Sequence, residues 1–274
     1  MSEQTVKEFR PVFFVGMPSG SAHPNQKAAE AFYLKITQKH RGRVVLVANT
    51  SSSLCHNFNI LWSAGLNFPG VTHFGMLHDD VVPAAEWWID VLYDEMVATN
   101  ADVVSAVNAI KDGKGLTTTG VACVDDEYDY RRLTTKEVTQ LPPTFGYDDL
   151  PDKFKEGREV FLINTGCWIA DVRKPWWREM TDAGTYRFCF QQHHRISFDE
   201  TERKPVVEFA PEDWLFSRYC HEVGAKVMAT TKAVTFHQGN TGYPAHYGWG
   251  DCDTDTEAIE FHKTKPLAIE RLLV

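Results

Sequence analysis

The chain has 274 residues, 43% of them hydrophobic and 24% charged, which is typical of a globular protein with one large domain and a sizeable buried core. Its formal net charge of −9 argues against broad attraction to nucleic acid, because phosphate backbones are bound mainly by Lys and Arg. The polar start lacks the apolar core of a signal peptide, and no stretch approaches the roughly 20 apolar residues of a membrane span, so we expect a cytoplasmic protein.

The N-terminal half alternates between strand and helix patterns. Short apolar runs predict strands at 11–16, 43–48, 72–77 and 101–107, and helical periodicity predicts helices at 25–40, 54–67 and 84–99. Such alternation implies a mostly parallel sheet with helices on both faces. In sheets of this kind, ligands bind beyond the carboxyl ends of the strands, and the loops expected there are 17–21, 49–53 and 78–82.

Two adjacent carboxylates, Asp79 and Asp80, follow the third predicted strand. A strand end is rigid, so carboxylates fixed there can hold a divalent cation against a bound phosphate without costly rearrangement. The two charges also repel each other, and a cation or a ring of donors between them would relieve that repulsion. Because Asp-Asp pairs also occur in turns and helix caps, the pair alone leaves both interpretations open.

The second half is less regular. Residues 161–170 predict a strand, a sharp turn and a second apolar run, and 233–236 predict a strand that ends in a Gly-containing loop. We expect 113–120 to form a flexible loop. Residues 125–158, which combine acids with Tyr128, Tyr130, Arg131 and Arg132, are interpreted as an insertion over the active-site edge, either as part of the acceptor site or, more simply, as a solvated loop.

Two further segments allow more than one interpretation. His193 and His194 would point to opposite faces of a strand, which disfavours a joint metal site, and we expect them in a mobile loop. The segment 239–250 is rich in Gly and aromatic residues. That composition fits either a lid that orders over a ligand or an irregular surface segment.

Six short motifs follow one another between residues 51 and 107: Ser51-Ser52-Ser53, Cys55-His56-Asn57, His78-Asp79-Asp80, Pro83, Trp87-Trp88-Ile89 and Ala101-Asp102-Val103-Val104. In order and spacing they resemble the nucleotide-sugar-binding half of GT-A glycosyltransferases, particularly the family 2 group with its DxD motif. The resemblance implies an α/β GT-A fold, Rossmann-like with a mostly parallel central sheet and helices on both faces, plus a C-terminal acceptor-side region.

The resemblance divides one domain into two halves, 1–110 for the nucleotide-sugar donor and 111–274 for acceptor binding and catalysis, with the insertion at 125–158. Donor contacts are expected from the edge loops and from the turn after residue 163: Pro18, Ser19, Asn49, Ser53, Asn57, His78, Asp79, Asn164, Thr165 and Gly166. The amide of Asn164 and the hydroxyl of Thr165 can hydrogen-bond to sugar hydroxyls, and Gly166 permits a close backbone approach.

Three positions depart from the family pattern. His78 stands where the family has the first acid of its DxD triplet, His56 stands for the Arg of an Ala-Arg-Asn step, and Asn49 stands for the Asp that holds the base. These departures leave the base and the sugar of the donor open, although UDP is the commonest nucleotide among relatives.

The metal site follows from the same resemblance. By position, Asp80 is the expected ligand of Mn²⁺ or Mg²⁺, while Asp79 or His78 lies near the ribose or sugar. Such an ion stabilises the negative charge on a departing diphosphate. Several GT-A enzymes bring a C-terminal His back to the metal, and His237 is the candidate here, although a lone His at a strand end is often structural.

The acceptor side rests on Glu212 and Asp213, which resemble the family's Glu-Asp motif at the start of a helix. In inverting members the Asp is the general base, so the resemblance implies that role for Asp213, with Glu212 as the neighbour that raises its pKa or orients it. Two acids in a first helical turn also suit the helix dipole without any catalytic role. Trp168 and Trp214 are the expected acceptor contacts.

The function expected from these features is metal-dependent transfer of a sugar from a nucleoside-diphosphate sugar to an acceptor hydroxyl, with inversion. The acceptor is a glycan precursor, a small molecule, a protein or a hydroxymethylated DNA base. DNA would need a local basic groove, for which the candidates are Lys153, Lys155, Arg158, Arg173, Lys174 and Arg178. The alternatives are a metal-dependent nucleotidyltransferase and a non-catalytic sugar-nucleotide-binding module.

Overall fold

The computed structural model describes residues 9–20, 42–201, 203–239 and 241–257. The strands in these ranges are β1 (Val12–Ser19), β2 (Arg43–Thr50), β3 (His73–Leu77), β4 (Val81–Pro83), β5 (Val103–Ala106), β6 (Leu116–Ala122), β7 (Tyr130–Thr134), β8 (Thr144–Phe145), β9 (Val160–Leu162), β10 (Cys167–Asp171), β11 (His193–Asp199), β12 (Lys204–Ala210), β13 (Val227–Thr230), β14 (Thr235–Gln238) and β15 (Gly242–Pro244).

The helices are α1 (Leu54–Asn67), α2 (Trp88–Thr99), α3 (Thr135–Val138), α4 (Asp152–Lys155) and α5 (Glu212–Glu222), with 3-10 turns at Tyr147–Asp149 and Pro175–Arg178. The helix predicted at 54–67 is confirmed over its full length. The helix predicted at 25–40 lies outside the described residues. No helix of the described ranges is long and apolar enough to cross a membrane.

A seven-stranded sheet in the order β2-β1-β3-β10-β5-β13-β8 forms the centre of the molecule. Strands β1, β2, β3, β5 and β13 run in one direction, whereas β10 and β8 run in the opposite direction. This confirms the expectation of an α/β protein with a mostly parallel central sheet. The sheet takes four strands from residues 1–110 and three from 111–274, so the two halves share one core.

Helices cover both faces of this sheet because side chains alternate along its strands. In β1, Phe14 packs with Phe58 and Leu61 of α1, whereas Phe13 faces the opposite side and packs with Ile89 of α2. Helix α5 lies on the same side as α1 through Phe216. Two apolar layers therefore hold the strands in place, and the polar loops at their ends are left at the rim.

The structure corrects the predicted start of helix α2 and the loop predicted at residues 113–120. Helix α2 begins at Trp88 instead of residue 84, because Val81–Pro83 pairs with β14 as strand β4. Residues 113–120 are not a flexible loop. Leu116–Ala122 forms strand β6, which is largely buried and lies between β7 and β9. The three consecutive Thr residues at 117–119 favour a strand, but Gly113 and Gly115 before them led to the prediction of a loop.

Residues 125–158 do not form a solvated loop. They contribute β7, α3, β8 and α4, and the side chains of Leu133, Val138, Phe145 and Phe154 enter the core. The capping box of Thr134 and Glu137, in which each side chain bonds the other residue's backbone, starts α3. Local signals for order were therefore present in a segment whose charged residues suggested exposure.

The pair His193-His194 lies on β11 and not in a loop, and β11 and β12 form a separate two-stranded hairpin. The two rings do face opposite sides. His193 Nδ1 lies 2.9 Å from Glu127 Oε1, and the His194 ring stacks on Phe209 with centroids 4.8 Å apart. The segment 239–250 contains strand β15, which pairs with β14.

Candidate functional site

Polar side chains from three elements meet where β1, β2 and β3 end. Ser19 Oγ donates to Asp79 Oδ2 at 2.6 Å, which links β1 to the loop after β3. The amide of Asn57, on α1, donates to the carbonyl oxygens of Ser19 (3.0 Å) and Asn49 (3.1 Å) and accepts from the Asn49 amide at 2.8 Å. Four of the predicted donor contacts therefore belong to one hydrogen-bond network, in which Asn57 is buried: Ser19, Asn49, Asn57 and Asp79.

Asp80 is the centre of a second group of polar side chains. The Lys111 ammonium pairs with Asp80 Oδ2, and His237 Nε2 lies 3.4 Å from the same oxygen. His237 Nδ1 donates to the Ala109 carbonyl at 2.7 Å. That bond fixes the ring so that Nε2 faces the carboxylate, which is how histidine ligands of metals are usually oriented. The predicted pair Asp80 and His237 therefore does meet, across strands β3 and β14.

The charges around Asp80 shift several pKa values. Burial opposes ionisation of Asp80, but the hydrogen bond from His237, the nearby His78 and the bond from Lys111 outweigh it and hold the pKa of Asp80 well below its usual range. Burial lowers the pKa of His78 to about 4, so its ring is neutral near pH 7. Burial, reinforced by the charge of Asp80, raises the pKa of Asp79. The pKa values of Asp79 and Asp80 are therefore shifted in opposite directions.

The residues at Asp80 fit a divalent cation as a two-ligand set. Asp80 Oδ1 is buried and has no hydrogen-bond partner, although such groups are almost always satisfied. Within the described ranges, no group of three or more His, Cys, Asp or Glu side chains could hold a metal ion by itself. Mg²⁺ and Mn²⁺ are commonly bound by one or two protein ligands together with substrate phosphates, so two ligands suffice only if a phosphate supplies others.

The turn between β9 and β10 connects this edge with the predicted catalytic acid. His78 N donates to the Gly166 carbonyl at 2.8 Å. Asn164 Oδ1 accepts from the Gly166 N–H at 2.6 Å and from Asn108 Nδ2 at 2.5 Å. The Asn164 amide also donates to Asp213 Oδ2 at 3.4 Å. Because β10 is antiparallel, this turn lies at the edge where β3 and β5 end.

Glu212 and Asp213 open helix α5, and both are buried. Asp213 Oδ1 accepts from the Trp214 N–H at 2.9 Å, and Glu212 Oε2 accepts from Gln192 at 3.0 Å. Burial and then the negative charge of Glu212 raise the pKa of Asp213 well above its ordinary value, while Arg132 and the two donors oppose the shift. Burial also raises the pKa of Glu212. A carboxylate with a raised pKa is suited to accept a proton near neutral pH.

A cavity of about 570 Å³ opens onto this acid pair. Its walls come from β6, β7, the hairpin strand β12 and the start of α5. Trp214, predicted to contact the acceptor, is part of the wall, and its ring lies 4.1 Å from that of Tyr130. The Arg132 guanidinium lies over the Trp214 ring at 4.9 Å. Asp213 is thus at the side of a space large enough for a small molecule.

Some predicted site residues are not available to a ligand. Trp168 is fully buried in the core, where its ring lies 4.7 Å from Phe216, so its predicted stacking on an acceptor is wrong. Thr165 is also fully buried, and its hydroxyl has no hydrogen-bond partner and no path to a sugar. Pro18 is buried within β1. Ser53, by contrast, is accessible: it is exposed before α1, and its side chain does not cap the helix.

Three residues of the site were not identified from the sequence. Lys111 and Asn108 follow β5, and polar residues after a predicted parallel strand are a recognisable signal of the same kind as the Asp pair. Arg132 lies in the insertion that the sequence allowed as part of the acceptor site, but no pattern distinguished it from the neighbouring Arg131.

No protein-family model and no curated protein matches this chain. Among solved structures, it is similar to the one titled "Crystal Structure of A197 from STIV". The TM-score is 0.44 at 12% sequence identity, and the match covers 89% of this chain and 95% of the other. A likeness at this level says nothing about activity.

Proposed function

We propose that this protein transfers a sugar from a nucleoside-diphosphate sugar to an acceptor hydroxyl with inversion, using a divalent cation bound at Asp80 and His237. The observation that carries the proposal is the position of Asn164, which bonds to Asp213 and, through Gly166, to the loop of the Asp pair. An ionised carboxylate and a carboxylate of raised pKa are thus held on the two sides of one rigid turn.

The donor's diphosphate lies at Asp80 in this proposal. Asp80 and His237 would hold the cation, whose chemistry there is Lewis-acid stabilisation of the charge that develops on the departing diphosphate. Lys111 exchanges its contact with Asp80 for a phosphate oxygen. Ser19 and Asn49 orient the nucleoside, because both already belong to the network that fixes the ends of β1 and β2.

The acceptor hydroxyl loses its proton to the Asp213 carboxylate. Its oxygen then forms a bond to the anomeric carbon, and the bond from that carbon to the diphosphate oxygen breaks with its electron pair. Attack from the side opposite the leaving group inverts the anomeric centre. Burial and then the charge of Glu212 keep the pKa of Asp213 high enough for proton transfer.

A thermal-shift screen of nucleotide sugars with and without Mn²⁺ tests the donor site, because a ligand that binds only the native state raises the melting temperature. One sugar nucleotide should stabilise the protein only when Mn²⁺ is present. The variants Asp80→Ala and His237→Ala should lose that metal-dependent part. Equal stabilisation without metal would contradict the proposed cation site.

Product analysis tests the reaction. With the donor found in the screen, release of a nucleoside diphosphate and an inverted product supports the proposal. Asp213→Asn should lower kcat by about 100-fold or more, as expected for loss of a general base. Asp182→Asn, a change at an exposed carboxylate that does not line the cavity, should leave kcat unchanged. Release of pyrophosphate instead would identify a nucleotidyltransferase.

A further inference from the structure

The hairpin of β11 and β12 has one apolar face. The two strands are antiparallel, and their register places Ile196 opposite Val207 at the middle of the hairpin. Residues directly opposite each other, and residues two apart along a strand, point to the same side of a sheet. Six side chains therefore share one side, which we call the hairpin face: His194, Ile196, Phe198, Pro205, Val207 and Phe209.

The other face of the hairpin is polar and lies against the rest of the chain. The Arg195 guanidinium lies 4.3 Å from the centre of the Tyr128 ring, and His193 Nδ1 lies 2.9 Å from Glu127 Oε1. Antiparallel strands commonly pack an apolar face on the core and leave a polar face in water. In this hairpin the arrangement is reversed, because the polar face makes the contacts and the apolar face meets solvent.

The hairpin face is one continuous exposed surface. Ile196 is 75% exposed, Val207 67% and Phe198 54%, and the rings of His194 and Phe209 stack on each other beside them. Single exposed apolar side chains are common on proteins, whereas a contiguous patch of several hundred Å² often marks a contact site. With side chains of this size, the hairpin face presents roughly 400 Å² of apolar surface.

Charge favours a second copy of this chain as the partner. The chain has a net charge of −9, so two copies repel each other over most of their surfaces. The hairpin face contains no Asp, Glu, Lys or Arg, so two such faces can meet without placing like charges opposite each other. An uncharged apolar face has no charge for a different partner to match, and its complement is another apolar face.

A lipid surface fits this hairpin less well. The end of the hairpin, which would enter a bilayer first, carries Asp199 and Glu200 as well as Arg203 and Lys204. Segments that bind membrane surfaces usually combine apolar side chains with an excess of Lys and Arg, because many lipid headgroups are anionic. These four residues provide no such excess, and the net charge of the chain opposes the approach to an anionic surface.

We propose that the hairpin face is a dimer interface, which packs on the same face of a second copy about a two-fold axis. Ile196 and Val207 lie at the middle of the face, so the axis passes close to them and each enters the interface twice. Two faces with their polar rims bury roughly 1,000 Å² in total, which is at the lower end for specific interfaces. The dimer is therefore weak, with a Kd in the micromolar range, and it does not depend on the transfer reaction proposed above.

Sedimentation equilibrium of the full chain between about 1 and 300 µM tests the proposal. The natural protein should show a monomer–dimer equilibrium. Ile196→Lys should raise the Kd by about 100-fold or more, because it removes two apolar contacts and places two ammonium groups beside the axis. Phe198→Lys, farther from the axis, should raise the Kd by about 10-fold. A rise in NaCl from about 0.05 to 0.5 M should lower the Kd of the natural protein, because salt screens the repulsion between the copies but not the apolar contacts.

Val97→Lys is the matched control. Val97 is a 63% exposed Val of α2, outside the hairpin, so the same added charge there should leave the Kd unchanged. The three substituted side chains are exposed, so far-UV circular dichroism should be the same for all variants, which separates loss of the dimer from loss of the fold.

A monomer at every concentration would overturn the inference, and so would a dimer that Ile196→Lys leaves intact or that added salt weakens. Vesicles of phosphatidylcholine and phosphatidylglycerol give the remaining outcome. Sedimentation of a monomeric protein with these vesicles, abolished by Ile196→Lys, would assign the hairpin face to a lipid surface instead of a second copy.

Discussion

Asp80 has two basic side chains beside one of its carboxylate oxygens. Lys111 and His237 both approach its Oδ2, while its Oδ1 has no partner. A site that binds a cation between a carboxylate and a phosphate must exchange partners when ligands enter. The exposed fractions of the Lys111 and Asp80 side chains, 36% and 31%, allow that exchange at low cost, because ion pairs in contact with water contribute little to stability.

Replacement of Lys111 by Met tests whether the ammonium competes with the cation. We expect the affinity for Mn²⁺ to rise by about two- to fivefold in the absence of donor, since a half-exposed ion pair is worth up to about 1 kcal/mol. Isothermal titration calorimetry measures the change. Lys136→Met, at an exposed pair with Asp253, is the control and should have no effect. Weaker Mn²⁺ binding in Lys111→Met would show that the two cations do not compete.

The raised pKa of Asp213 predicts the pH dependence of the transfer reaction. The base acts only when ionised, so kcat/KM should rise with pH through a limb that lies above the ordinary range of an aspartate. Arg132 lowers the pKa of Asp213, so Arg132→Gln should move that limb to higher pH. The measurement is the pH profile of kcat/KM for both proteins. If the limb does not move, Arg132 does not lower the pKa of Asp213.

At the scale of elements, strand β10 organises the site. It lies antiparallel between β3 and β5, with Trp168 opposite both Met76 and Ser105. Its first residues therefore reach the edge where its two neighbours end. A parallel strand in this position would deliver its carboxyl end there instead, and the turn at Asn164 would lie at the far edge of the sheet.

Gly166 is required by the packing of this turn. A Cβ added there would lie 2.5 Å from Asn164 Oδ1 and 3.0 Å from Asn108 Nδ2, so the chain of amides would have to move. Gly166→Ala should destabilise the protein by about 1–3 kcal/mol in urea unfolding. Gly20→Ala, where no atom lies within 4 Å of the added Cβ, should change stability by no more than about 0.5 kcal/mol. Equal stability of the two variants would contradict the described packing.

At the scale of the whole molecule, buried histidines make stability depend on pH. His73 is buried in the core beside Phe13 and Tyr93. The centroids of both rings lie 5.1 Å from that of His73, and they are 5.4 Å from each other. Burial lowers its pKa to about 4, with Asp171 raising it and Arg173 lowering it. The unfolded chain takes up this proton near pH 6.5, before the native state does.

The contribution of His73 to stability should therefore fall by at most ~3 kcal/mol as pH decreases from about 6.5 to about 4. His73→Phe fits the surrounding aromatic rings and removes the titrating group. Urea unfolding at a series of pH values should show a shallower loss for the variant than for the natural protein. Identical slopes in this window would mean that the His73 ring takes up its proton in the native state as readily as in the unfolded chain.

The sequence by itself determined helix α1, the early strands and the polar residues at their ends. Helix α1 and the early strands were predictable because the spacing of apolar residues is a local signal. The position of the Asp pair at a strand end and the acids at the start of α5 follow from the same local patterns. The sequence also marked His237, although only through its resemblance to a family.

Only the tertiary structure decided which of those ends meet. Lys111 and Asp80 are 31 residues apart, Asn164 and Asp213 are 49 apart, and the contact of His237 with Ala109 spans 128. Such pairings depend on strand order and direction, which no local pattern encodes. The same holds for Trp168, whose apolar neighbours in sequence are compatible with either a core or a binding surface until the sheet and α5 close over it.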